Sequence, residues 1–396
     1  MTISKKINLL LIFILFSILI YTLYRDLIVY NNQKNYNLIY MIFFIAFLIL
    51  LGMLFLKEEI RKNFITFTIS SIMCLYFIEF FLFSQSQIKL SKYLQNGFDK
   101  RTKYQVFIET RKKNPNLYPA VFPSNFIYKQ IFNKSELVPF GNISNKKILW
   151  CNENGYYTFF NSDRYGFRNP NDKIWEKELI NYILIGDSYT EGACVNTKDN
   201  ISGKLTKFSN KQTLNLGRGG NGPLSKLAIL YEFSMISEGT DVLWFYYEGN
   251  DIGDMIEEKN SEILNKYFEN ENYRQNLKSK QKIIDQLLIE YTEEKIKSKK
   301  NEVDHALEEY SPYKIIVLYN LRSNLTLFVR NYFLTNRVVF DSIDLNFFEN
   351  IINKANKFTL KKKGNFYFVY LPSYNRYISK DPKNFMSKDD ILMILN

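Results

Sequence analysis

Three long apolar runs open the chain, and its second half alternates short apolar strands with amphipathic helices. Ile7–Tyr24 and Leu38–Leu56 carry no charge, and Phe64–Ser84 carries only Glu79. Each is close to the roughly 20 residues that cross about 30 Å of hydrocarbon, so three transmembrane helices are expected. A cleaved signal peptide would account for the first run alone, and no small-residue cleavage site follows it. Glu79 lies about five residues from the end of its span and is expected to snorkel to the interface. From Tyr182 onward the pattern predicts strands at Tyr182–Ile185, Thr213–Leu216, Val242–Tyr247 and Phe366–Leu371. Helices are predicted at Ile201–Phe208, Pro223–Ile236 and Phe347–Lys361, the second opened by Pro223 after Asn221-Gly222. Leu224, Leu227, Ala228 and Tyr231 form its apolar face. Ile315–Leu321 fits strand or helix. This alternation implies a parallel sheet with helices on both faces.

Three divisions follow. Residues 1–84 form a membrane anchor, 85–180 a linker and small β-containing region, and 181–396 the α/β domain. Residues 255–310 interrupt that domain as a charged helical insertion whose buried face is Ile283, Ile284, Leu287, Leu288 and Tyr291. In the middle region, Thr158–Arg168 has the aromatic and turn residues of short β structure, and its Asp163-x-x-Gly166-Phe167-Arg168 stretch is expected to be a structural hairpin.

Orientation follows the basic residues. Lys5 and Lys6 precede the first run, and Lys57, Arg61 and Lys62 fill the second loop. The first loop holds only Arg25 and Lys34. This favours a cytoplasmic N-terminus and, after three crossings, an extracytoplasmic remainder. Lys89, Lys92, Lys100 and Arg101, just after the third run, weigh against it.

Composition narrows the chemistry. The 396 residues are 46% hydrophobic, with 52 Lys+Arg against 40 Asp+Glu for a net +12. The positive charge is spread along the chain, with no compact basic helix or aromatic RNA-binding motif, so a bilayer is the expected partner and nucleic acid is not. Cys74, Cys151 and Cys194 read as isolated, with no CxxC. The single His argues against a His-based metal site, and no cofactor is expected.

The candidate chemistry lies at the ends of the first three predicted strands. Ile183-Leu184-Ile185-Gly186-Asp187-Ser188 runs an apolar strand into a serine. Asn215-Leu216-Gly217-Arg218-Gly219-Gly220-Asn221 follows the second strand, and Glu248-Gly249-Asn250-Asp251 the third. Open α/β sheets place their sites at these strand ends. Acyl transfer needs a nucleophile, an oxyanion hole and a base.

These three segments, in this order, resemble the SGNH (GDSL-like) hydrolases, a family of esterases and acyl-group hydrolases. The resemblance covers roughly residues 155–380 and implies a flavodoxin-like α/β fold. It also implies a catalytic Ser188 and an oxyanion hole built from the Ser188 N–H, the Gly220 N–H and the Asn250 side chain. O-acyl (acetyl) esters, with acylated cell-surface glycans as the partner class, follow by analogy with membrane-attached members. Two departures stand out. Glu248 replaces the first glycine of the usual Gly-x-Asn-Asp block. The family's histidine, in an Asp-x-x-His block after the last strand, has no counterpart there. The only histidine, His305, follows Asp304 inside the insertion and reads as a surface residue, so the chain is expected to stop short of the family's final block and to have little or no esterase activity. Two alternatives stand beside the esterase: an inactive SGNH-like fragment or binding protein, and a Rossmann-like domain cradling a phosphate on Gly217–Gly220.

Overall fold

The structure is a computed structural model that describes residues 2–24, 37–94, 97–99, 101–127, 137–306, 318–332 and 342–378, with Leu27, Ile315 and 391–392. The expected first-loop charges Arg25 and Lys34 lie outside the described residues. The chain divides into two compact units, one of Met1–Ile88 with Glu308–Phe328 and the other of Lys89–Leu307 with Val329–Asn396. The expected middle region and α/β domain share one hydrophobic core, which runs from Tyr118 to Ile391.

In the first unit the apolar runs become α1 (Ile3–Tyr24), α2 (Asn37–Met53) and α3, which spans Glu58–Leu94. Two of these helical stretches, Ile3–Tyr24 and Glu58–Gln85, are long and apolar enough to cross a membrane. The second run forms a helix of 17 residues, about 25 Å long at 1.5 Å per residue and at the lower limit for a span. Asn8 Nδ2 donates to the Leu50 carbonyl at 2.9 Å. Arg61 is buried and donates to Ser4 Oγ at 3.0 Å and to the carbonyls of Leu54 and Leu56. The start of α1 and the turn between α2 and α3 therefore lie at the same end of the bundle. That end collects Lys5, Lys6, Lys57, Arg61 and Lys62.

Glu79 departs from expectation. It is fully buried rather than extended to an interface. Its carboxylate accepts from Asn320 N at 3.0 Å, Asn320 Nδ2 at 2.8 Å and Leu321 N at 2.7 Å. These residues begin α12 (Tyr319–Tyr332), so the end of the ambiguous Ile315–Leu321 segment, Tyr319–Leu321, is helix, while 316–317 lie outside the described residues. The physical reason is local: the first N–H groups of a helix have no intrahelical acceptor, and a carboxylate satisfies them and the helix dipole together.

The second unit opens with α4 (Lys103–Lys113), started by a reciprocal Thr102–Gln105 capping box. A small sheet follows, in which β1 (Leu117–Pro119) pairs parallel with β2 (Lys147–Leu149), and β2 antiparallel with β3 (Phe159–Asn161). The short helix α5 (Ser124–Ile127) follows β1. The main sheet consists of β4 (Tyr182–Ile185), β5 (Thr213–Asn215), β6 (Asp241–Tyr247) and β7 (Asn365–Leu371). All pairings are parallel, in the order β5-β4-β6-β7. The unit is thus α/β around a parallel sheet, as the alternation predicts.

Helices α6 (Ser188–Glu191) and α7 (Ile201–Ser209) separate β4 from β5, and α8 (Pro223–Phe233) separates β5 from β6. Every residue of α8 is buried, its polar Ser225, Lys226 and Glu232 included. The cause lies in the insertion, whose α9 (Asp251–Glu258) and α10 (Glu262–Glu269) pack against α8 together with α13, Ser342–Lys361. The insertion ends in α11 (Gln281–Ala306), where Ile284, Leu287, Leu288 and Tyr291 are buried as expected but Ile283 is 58% exposed. Trp244 and Tyr246 on β6 are fully buried, each contributing about 2–3 kcal/mol of apolar burial. A last short helix, α14 (Asn375–Ile378), follows β7.

Candidate active site

The parallel register carries the three predicted segments to one edge of the sheet. Ile185, the last residue of β4, pairs with Trp244, so the turn into Ser188 leaves the sheet beside the C-terminal half of β6. Leu216 N donates to Leu184 O at 2.9 Å and Arg218 N to Gly186 O at 3.0 Å, which lays the second segment along the first. β4 is flanked by β5 on one side and β6 on the other. The chain leaves β4 one way and later returns on its far side, so the crevice between β4 and β6 is the topological switch point, where open α/β sheets bind ligands.

Ser188 opens α6. Asp187 caps that helix, accepting from Tyr189 N at 3.0 Å, and is buried. The strand must turn sharply to do this. A side chain on Gly186 would collide with the Thr190 hydroxyl and Phe245. Gly220 has φ +75°, a left-handed conformation that favours glycine. Ser188, Gly220 and Asn250 are each partly exposed, whereas their sequence neighbours Asp187, Asn221 and Asp251 are buried. The predicted residues thus stand at an accessible surface on a rigid floor. Tyr189 is 51% exposed beside the serine and packs its ring 4.5 Å from that of Tyr247. The bond between their hydroxyls, with burial adding to it, pushes Tyr189 up to about 12.

The floor is built from buried charge to which the strand-end motifs give no clue. Arg218 pairs with Glu191 and also donates to the carbonyls of Phe140 and Val121. Burial holds its guanidinium below its ordinary value against the opposing pull of Glu191. Glu191 also accepts from Gly219 N at 2.7 Å, fastening the second segment to the helix that Ser188 opens. Lys226 pairs with Asp251 and donates to Phe245 O. Asp251 in turn accepts from Tyr247 N at 3.1 Å and fixes the turn that carries Asn250. Burial pushes Asp251 up to about 7, despite Lys226. Glu258 sits under the N-terminus of α8, accepting from Gly222 N and Leu224 N at 2.8 and 2.9 Å, and burial pushes it up to about 7.

The Glu248 departure has a structural account. Its carboxylate accepts from Ser373 N at 2.9 Å and from Arg376 Nε at 2.8 Å, and forms an ion pair with Arg376. It ties the Asn250 turn to the chain leaving β7. The Asp163 stretch forms a structural turn: Asp163 accepts from Tyr165 N and Phe167 N, both at 2.9 Å, and from the Trp175 indole. Arg168 then donates to the carbonyls of Gly192 and Val195, bracing the loop after α6.

That loop also corrects the cysteine reading. Cys151 and Cys194 form a disulfide across 43 residues. Nothing in their spacing announces the pair; the Arg168 brace and the exit of β2 bring them together. Cys74 is free. His305 falls in the last turn of α11, and its side chain lies outside the described residues. Among the described residues no cluster of His, Cys, Asp or Glu could hold a metal ion.

Compared with protein-family models, curated proteins and solved structures, the chain matches none.

Proposed function

We propose that the protein is a membrane-tethered ester hydrolase of the SGNH type. Its proposed substrates are O-acyl groups, acetyl esters above all, of cell-surface glycans. The observation that supports the reading is that the Ser188, Gly220 and Asn250 segments follow three adjacent parallel strands, β4, β5 and β6, at the same end of the sheet. In this reading Ser188 Oγ attacks the ester carbonyl carbon. The electron pair moves to the carbonyl oxygen, where the N–H groups of Ser188 and Gly220 and the Asn250 amide stabilise it. Collapse breaks the ester C–O bond, the departing alkoxide takes up the serine proton and leaves as the alcohol, and the acyl-serine remains for water to cleave. The glycan class rests on family analogy alone.

A second reading is favoured by the position of His305, on α11 between β6 and β7 rather than after β7. It holds that the pocket binds acylated ligand without turning it over. Assay of the purified full chain on a chromogenic acetyl ester separates the two. Turnover that Ser188→Ala abolishes supports the hydrolase, and turnover that His305→Ala also abolishes makes His305 its base. Equal background in wild type and both variants supports the binding protein.

The membrane reading has three helices crossing and the sheet unit outside the cytoplasm. The basic end of the helical bundle supports it. The Cys151–Cys194 disulfide supports it too, because such bonds persist in oxidising compartments. A C-terminal tag that resists external protease in intact cells would overturn this orientation.

A further inference from the structure

Beyond its Glu79 contact, α12 packs on little of the protein. Arg322, Ser323, Asn324, Leu325 and Thr326 are all exposed, Leu325 at 59%. The helix has 14 residues, and isolated helices shorter than about 12–15 residues are marginal in water. Its order therefore requires a partner along its length, and its sequence gives that partner's chemistry. At about 3.6 residues per turn, Leu321, Leu325 and Phe328 fall on one face and Ser323 and Thr326 on the other. Arg322 stands at the border between them, where a long basic side chain can reach headgroup phosphates while its stem stays on apolar surface.

This helix is too short and too polar to cross a bilayer: 14 residues rise about 21 Å, against roughly 30 Å of hydrocarbon. Its first turn is nevertheless held at membrane depth. Glu79, which accepts from Asn320 N and Leu321 N, lies five residues before Ser84, the end of its apolar run. That distance is about 7–8 Å along α3. Interfacial helices bury their apolar face about 5–10 Å into the boundary of headgroups and acyl chains. The α3 surface around Glu79 is itself apolar and open, with Phe77, Phe80 and Phe81 exposed. The stripe on α12 thus starts beside a surface that meets lipid wherever α3 spans.

We propose that α12 is an interfacial helix whose Leu321–Leu325–Phe328 face lies in the bilayer surface, pinned by Glu79. Between α11 and α13 the chain thereby returns to the membrane that α1 to α3 first enter. The inference rests on the membrane reading of α3 and does not depend on Ser188 acting as a nucleophile.

The test places one nitroxide at a time on the full chain in phosphatidylcholine nanodiscs. Cys74→Ser removes the free thiol, and Phe77→Cys, Leu325→Cys or Ser323→Cys supplies the label site; all three positions are exposed. Power saturation compares collisions with dissolved oxygen, which enters lipid, and with a nickel chelate, which stays in water. The expected oxygen-to-nickel ratio is high at Phe77 and several-fold higher at Leu325 than at Ser323. Glu79→Leu should lower the Leu325 ratio, and Glu79→Gln should largely restore it. A label in water at Phe77 would overturn the membrane reading itself. Lipid at Phe77 with water at Leu325, or equal ratios at Leu325 and Ser323, would overturn the interfacial helix alone. A Leu325 ratio unmoved by Glu79→Leu would remove the pin.

Discussion

Among the described residues of the helical unit, the buried carboxylate of Glu79 meets neutral donors, two backbone N–H groups and an amide, and the buried Arg61 meets the hydroxyls of Ser4 and Thr2 and backbone carbonyls. In the sheet unit Glu191 and Asp251 each meet a cation as well as backbone N–H groups. The difference follows from what each setting offers. Apolar helices have few charged neighbours, but every helix end presents unpaired backbone groups, and a single charge can settle there. A sheet edge at a switch point gathers several loop residues, so opposite charges meet and lock the loops to one another. The first device fastens a helix; the second fixes the geometry of a site.

The sharpest way to break this contrast is to remove one partner of a buried pair. Arg218→Met leaves Glu191 buried and unpaired and should destabilise the sheet unit by about 3–5 kcal/mol. Arg218→Met with Glu191→Leu should recover part of that loss. Thermal unfolding of the full chain in detergent reads both, and equal losses in the single and double variants would deny that the pair is what matters.

Reducing the disulfide should cost the sheet unit about 2–4 kcal/mol, since the bond closes a loop of intermediate length. The helical unit, whose Cys74 is free, should not respond. Melting curves with and without dithiothreitol, and of Cys151→Ser with Cys194→Ser, make the comparison.

Glu79→Leu should cost less, about 1–3 kcal/mol, because it orphans neutral donors rather than a charge. Glu79→Gln, which keeps an acceptor, should recover most of it. A Gln variant as damaged as Leu would show that the negative charge itself is required, narrowing the contrast between the units. Protease sensitivity of residues 308–328 gives the readout.

The smallest effect concerns pH. Burial pushes Asp254 up to about 6, so the folded chain holds this proton more tightly than the unfolded one. The associated stability is present below about pH 4 and fades as pH rises through about 6. Asp254→Asn should therefore add about 1–2 kcal/mol at pH 8 and nothing at pH 4, a figure reduced for the part of the side chain that water reaches. Melting temperatures across this range should show a flatter slope in the variant.

Sequence pattern located the strands of the main sheet to within a residue, because two-sided burial leaves uninterrupted apolar runs such as Tyr182–Ile185. It also placed Ser188, Gly220 and Asn250 at strand ends, since glycine and polar residues stop those runs abruptly. What it missed shares one character. The partners of Glu79, Glu191, Glu248 and Cys151 lie 241, 27, 128 and 43 residues away. Pairing over such separations is decided by packing, and an isolated charge or thiol looks the same in a sequence whether it ends in water or in a salt bridge. Ile283 failed for the reverse reason: a helix face drawn from periodicity was one residue too wide.

Glu191 fastens the Ser188 helix and the Gly219–Gly220 turn through a single carboxylate. A substitution there cannot relax one loop while sparing the other. Sequence drift at this position has no gentle slope: variants keep the whole edge in order or lose it together. The routes by which such an edge can acquire a new specificity must then run through its partly exposed rim, Tyr189 and Asn250 among them, rather than through its foundations.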